Sequence, residues 1–203
     1  MANTNQVRGF VPVSDAYGTP YNGSVRLYYH AADDATPILN GDLVTATGAS
    51  TFVMQGGFKM SYPVVARSAT GDIFQGVCIG VIPLTANDPI YAPANTGCIV
   101  AVADDPNALF LVQEQNTGTP LTANDVGLNI NVVVNAGSTV TGQSGMALNN
   151  GTEAGTNTLD LKIIGQYLAA DNDLGADVST GALPGRFLVR INRHRFANQI
   201  AGI

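Results

Sequence analysis

Apolar residues in this chain come in short runs, most of them five to ten residues long, separated by clusters of Gly, Pro, Asn, Asp, Ser and Thr. Runs of that length, rich in Val, Ile, Leu, Phe and Tyr, predict strands. They fall at Val7–Val13, Ser24–His30, Leu43–Thr47, Lys59–Ala66, Ile73–Ile82, Cys98–Ala103, Leu109–Glu114, Leu128–Val134, Leu159–Tyr167 and Arg186–Asn192. Two alternate clearly. Leu159, Leu161 and Ile163 oppose Asp160, Lys162 and Ile164, while Phe187, Val189 and Ile191 oppose Arg186, Leu188 and Arg190, so each has one core face and one outer face. Gly76–Ile82 and Ile130–Val134 are apolar on both sides, as strands between two layers are, and are expected at the centre.

The breakers agree with the period. Twenty-three glycines and ten prolines leave no interval free of both longer than the sixteen residues Arg186–Ala201. Helices of ordinary length, about 11 to 12 residues, do not fit that spacing, whereas strands of five or six do. The expected fold is all-β, a small barrel or sandwich of about ten short strands with long Gly/Thr/Asn-rich loops and little or no helix. A six-residue string, Pro-Leu-Thr-Ala-Asn-Asp, occurs at Pro83–Asp88 and again at Pro120–Asp125. It has turn chemistry: Pro sets φ, and the Thr, Asn and Asp side chains bond their own backbone. The second copy marks the boundary between an N-terminal β unit, 1–118, and a C-terminal β unit, 119–203, packed together or forming one domain. Residues 135–158 hold almost nothing but Gly, Ser, Thr, Asn and Ala, and predict a long surface excursion, either a connector or a binding loop.

Composition narrows the function classes. Charged residues are 12% of the 203, about half the usual quarter, and only two acids are Glu and two bases Lys. That excludes coiled coils and helical bundles, and 45% hydrophobic content excludes a disordered chain. A net charge of −6 disfavours nucleic-acid binding, which draws its affinity from clustered Lys and Arg. No apolar run is long enough for a membrane helix, and Met1–Gly9 lacks the features of a secretory signal. Synthesis in a cytoplasm is therefore expected, with Cys78 and Cys98 reduced and buried as small hydrophobes.

Catalytic chemistry finds little support. His30 and His194 are the only histidines available as a base. The string Gly142-Gln143-Ser144-Gly145 is one residue short of a nucleophile elbow and lies outside a strand-to-helix turn. Asp171, Asp173 and Asp177 offer oxygens for Ca²⁺, but Gly175 sits one position early and Ala182 takes the place of the bidentate acid, so the choice is between an ion site and a solvated turn. Asp33-Asp34 and Asp104-Asp105 read as turn residues. Stacking on sugars favours Trp, of which there is none. No catalytic residue, cofactor or metal site is expected.

Charge distribution stands out. Residues 1–185 hold five bases and all fifteen acids, whereas the last eighteen residues carry Arg186, Arg190, Arg193 and Arg195 and no acid. Forked guanidinium groups suit fixed bidentate contacts. The cluster Arg186, Arg190, Arg193, His194 and Arg195 is therefore either a contact surface for a partner or a set of cations paired within the chain.

A set of ordered strings carries a family likeness: Val102–Glu114 (VADDPNALFLVQE), Asp125–Asn129 (DVGLN), Gly137-Ser138, Thr141-Gly142, Ser144–Met146 (SGM), Asp171-Asn172 and Phe187–His194 (FLVRINRH). In these, covering about half the chain, it resembles the capsid decoration, or cement, proteins of tailed bacteriophages. The resemblance implies a non-enzymatic virion protein on the outer surface of an icosahedral head. Its partners would be the major capsid protein and its own copies, commonly as trimers, with no membrane and no nucleic acid. A charge-poor surface fits a subunit with extensive contacts. A phage tail or fibre β module that binds a host receptor is the alternative.

Overall fold

The short apolar runs become twelve strands in a computed structural model that describes residues 5–83, 87–172 and 184–197. The chain is all-β, and the described residues hold no α-helix. The one helical turn among the described residues is a 3₁₀ turn at Ala123–Asp125, in the second copy of the repeated string. Thr122 caps it, accepting from Asn124 N while Asp125 accepts from Thr122 N. Residues 84–86 of the first copy lie outside the described residues.

Five strands close a barrel: β2 (Arg26–His30), β3 (Leu43–Gln55), β4 (Phe58–Arg67), β5 (Gly76–Ile82) and β6 (Cys98–Ala103), in the order β2-β4-β3-β5-β6. Only the β2–β4 contact is parallel; it completes the ring through Tyr29 beside Val64 and His30 beside Val65. A five-stranded antiparallel sheet lies against the barrel. Its order is β1 (Val11–Asp15), β7 (Ala108–Gln113), β12 (Arg186–Ile191), β11 (Leu161–Gln166) and β8 (Asn129–Ile130). A two-stranded piece, β9 (Val132–Val133) with β10 (Ala147–Leu148), meets the end of β7 through the bridge of Glu114 with Leu148. The large sheet takes strands from both sides of residue 118.

The alternation of side chains explains why the two layers hold together. Val44, Val65, Cys78, Val100, Val102 and Tyr28, at least one from each barrel strand, fill the barrel interior. Their chain neighbours Leu43, Val77 and Ala103 point the other way, into a second core with Phe10, Phe110, Val112, Leu161, Ile163, Phe187, Val189 and Ile191. Phe10 and Phe110 meet edge to face there, centroids 6.4 Å apart. One stretch of barrel wall thus has a core on each side, which is why Gly76–Ile82 is apolar at every position. Phe187, Val189 and Ile191 are buried as their alternation predicts, with Arg186, Leu188 and Arg190 half exposed.

Several elements depart from the sequence expectation. The first strand starts at Val11, not Val7, and Ile73–Gln75 precede β5 because Phe74 pairs with His194. Leu128–Val134 splits into β8 and β9, and β3 runs on to Gln55. The segment 135–158 is not a surface excursion at its centre. Ser144, Gly145, Met146, Ala147 and Leu148 are buried, and Met146 and Leu148 belong to the core. Glycine makes that threading possible: a Cβ at Gly145 would meet the carbonyl oxygen of Ala136, so only a bare Cα fits.

Candidate functional site

The arginine cluster runs along β12 and past its end, with Arg186 opening the strand, Arg190 inside it and Arg193 and Arg195 beyond it, and its guanidinium groups reach four different segments. Arg186 pairs with Asp171, Nη2 to Oδ1 at 2.7 Å, and lies over the Tyr167 ring. Asn172 locks the same corner, its Oδ1 accepting from Arg186 N while its Nδ2 donates to Arg186 O. Arg190 Nε donates to Pro106 O at 2.8 Å. Arg193 Nη1 donates to Thr158 O, and Arg195 Nη2 to Ala46 O. One of the four therefore meets an acid and three meet carbonyl oxygens. Arg195 is the exposed member.

His194 points inward and is 2% exposed. Its Nδ1 accepts from Phe196 N, and burial pushes its pKa down to about 4, so the ring is neutral at pH 7. Around it the backbone of Arg193 and Arg195 brackets Phe74, with Phe74 N donating to Arg193 O and Arg195 N to Phe74 O. This segment fastens the end of β12 to the barrel. Phe196 beyond it is half exposed beneath the Arg26 guanidinium, which pairs with Asp104 at 3.4 Å.

The other candidates resolve into structural contacts. Ser144 Oγ donates to Asp42 Oδ1 at 2.6 Å and accepts from Met146 N; Asp42 also takes Leu39 N and lies 3.1 Å from Arg67 Nε. His30, fully buried, faces Asp34 at 3.6 Å, and burial lowers its pKa. Neither histidine is among the hydrogen-bond partners of Ser144, whose hydroxyl is engaged by Asp42 and Met146. Cys78 and Cys98 are free, buried thiols, pushed up to about 12 and about 11 by desolvation. Asp171 is taken by Arg186, while Asp173 and Asp177 lie outside the described residues. Among the described residues no three His, Cys, Asp or Glu side chains gather to hold a metal ion.

No protein-family model, curated protein or solved structure matches this chain.

One feature of the surface lies outside the residues that sequence reasoning selected. Strands β3 and β4 continue past the barrel as a hairpin arm turning at Gly56-Gly57, with Phe52, Met54, Phe58 and Met60 exposed by 64%, 67%, 75% and 45%. The signal for it is present in the sequence. Gly-Gly between Thr51-Phe52-Val53-Met54 and Phe58 is a two-residue hairpin signature, and both glycines take the positive φ (57° and 85°) that such a turn demands.

Proposed function

We propose that this chain is a non-enzymatic virion structural protein that decorates and stabilises an icosahedral phage head by binding the major capsid shell. The observation that carries the reading is spatial. The strings that resemble decoration proteins are scattered from residue 102 to residue 194, yet three of them come together in the fold. The second half of Val102–Glu114 holds β7, most of Phe187–His194 lies in β12, and the two strands pair from Arg186 beside Gln113 to Arg190 beside Leu109. Met146, from a third string, packs into the core beneath them, and Glu114 bridges to Leu148. A likeness held in one packed unit supports a shared architecture better than the same residues dispersed would.

Within this reading Arg195 is the cluster member placed to reach the shell. It is exposed, and a guanidinium carries five N–H donors, of which one, among the described residues, is committed to Ala46 O. The reading is tested by adding the purified chain to heads that lack it, then imaging them by cryo-electron microscopy and heating them. New density at fixed lattice positions and a higher disruption temperature are expected. Shells that stay bare under saturating protein overturn decoration and favour the receptor-binding module. Arg195→Ala is expected to weaken shell binding by about tenfold while leaving the fold intact.

A further inference from the structure

The hairpin arm is built to be covered. From Ser50 beside Pro63 to Gln55 beside Phe58, the two strands pair, among the described residues, only with each other. The ladder of β3 with β5 is confined to Leu43 and Val44, and that of β4 with β2 to Val64 and Val65. Six residue pairs at about 3.4 Å per residue make an arm of roughly 20 Å. A two-stranded ribbon of this kind is marginal in water, and its open edges invite pairing with another chain.

Both faces of the arm are apolar. Phe52 and Met54 lie on one side, with Lys59 folded over the Phe52 ring at 4.4 Å. Val53 pairs with Met60, which places Met60 and Phe58 on the other side. That second stripe runs back into Tyr62 and Val64, both buried, so the covered surface of the body continues into uncovered surface at the tip.

We propose that this arm is a self-association element, covered by further copies of this chain. Three observations select that occupant. The first is area: Phe52, Met54, Phe58 and Met60 expose roughly 500 Å² of apolar surface, divided between the two faces of the arm. Two arms together bring roughly 1,000 Å² over all their faces, so the arms supply part of an interface of about 1,200 to 2,000 Å² and the body of the neighbouring copy supplies the rest. The second is charge, because residues 43–71 hold no acid and two bases, Lys59 and Arg67, while the chain as a whole is −6. An arm with a cation and no acid docks on the acidic body of another copy without like-charge contact. The third is the two-sidedness. A single flat partner covers one face only, whereas a ring of three or more copies gives each arm two neighbours, one for each face.

The inference gives the self-association that the family resemblance implies a place on the chain, and it does not rest on shell binding. Light scattering across a dilution series should show wild-type assemblies of three or more copies. Phe52→Ser with Met54→Ser, and separately Phe58→Ser with Met60→Ser, should each weaken association at least tenfold. The circular dichroism spectrum should be unchanged, and all four substitutions together should give monomers. Hydrogen exchange on the wild-type chain provides a readout that needs no variant: amides of Thr51–Ser61 should lose protection on dilution in step with dissociation. A strictly monomeric wild type at 100 µM, folded arm variants that associate as the wild type does, or arm protection independent of concentration each overturns the inference. Arm protection that appears only when shells are added also overturns it and assigns the arm to the shell. A monomer that still binds shells leaves decoration standing, and an arm-dependent oligomer that leaves shells bare does the reverse.

Discussion

Buried ionisable side chains join segments that are far apart in the sequence. Glu114 accepts from Leu121 N, Gly185 N and Asn150 Nδ2, tying the end of β7 to three loops. Asp160 accepts from Gly71 N and Val132 N, and Asp42 joins Leu39, Ser144 and Arg67. Desolvation pushes all three carboxyl groups up. Glu114→Gln keeps one acceptor and turns an NH₂ toward backbone donors, so a loss of about 1 to 3 kcal/mol is expected in urea denaturation at pH 7. An unchanged midpoint would show that Glu114 is dispensable. Acidification acts on these groups and on His194 with opposite signs. A raised carboxyl pKa favours the folded state below the ordinary carboxylate range and loses that advantage as pH rises through the folded value. His194 binds its proton less readily when folded, at about 4 against 6.5, so its contribution is complete above pH 6.5 and is lost as pH falls toward 4. Between pH 7.5 and 5 that loss amounts to about 2 kcal/mol. His194→Gln should flatten the stability profile over this window, and parallel wild-type and variant profiles would remove His194 as its cause.

At the scale of the element, β12 shows what was legible in the sequence and what was not. Its buried and outer faces follow from alternation alone, because Phe187, Val189 and Ile191 must share a side. The partners of its arginines do not, because Pro106, Thr158 and Ala46 are ordinary residues whose carbonyls are brought into reach by the fold. Segment 135–158 was opaque for a related reason: small residues carry no amphipathic period, yet Gly137 and Gly145 permit the close approach that lets Met146 reach the core. The arm was legible in its Gly-Gly turn, but its apolar residues on both faces give no clean alternation. Arg190 separates pinning from partner contact. Arg190→Ala removes the tether from β12 to the turn before β7, so thermal or urea unfolding of the chain should show a loss of about 1 to 2 kcal/mol. Association should stay within about fivefold of wild type; a loss beyond that, with unfolding unchanged, would make Arg190 a subunit contact.

At the scale of the whole molecule, the barrel and the sheet share a wall. Leu43, Val77 and Ala103 leave the barrel to complete the core beneath the sheet, while Val44, Cys78 and Val102, one residue away on the same strands, fill the barrel. Neither layer can lose its packing without exposing the back of β3, β5 and β6. Other ties cross the same boundary: Phe74 with Arg193 and Arg195, and Gly71 with Asp160. Residues before and after 118 should therefore unfold together. Calorimetry at fixed protein concentration is expected to give one transition with equal calorimetric and van't Hoff enthalpies. Val77→Ala on one side of the wall and Cys78→Ala on the other should lower that same transition, at roughly 2 kcal/mol and about 4 to 8 °C for Val77 and less for the smaller Cys78. If Val77→Ala moved one transition and left a second in place, the two β units would be independent and the shared wall would not couple them.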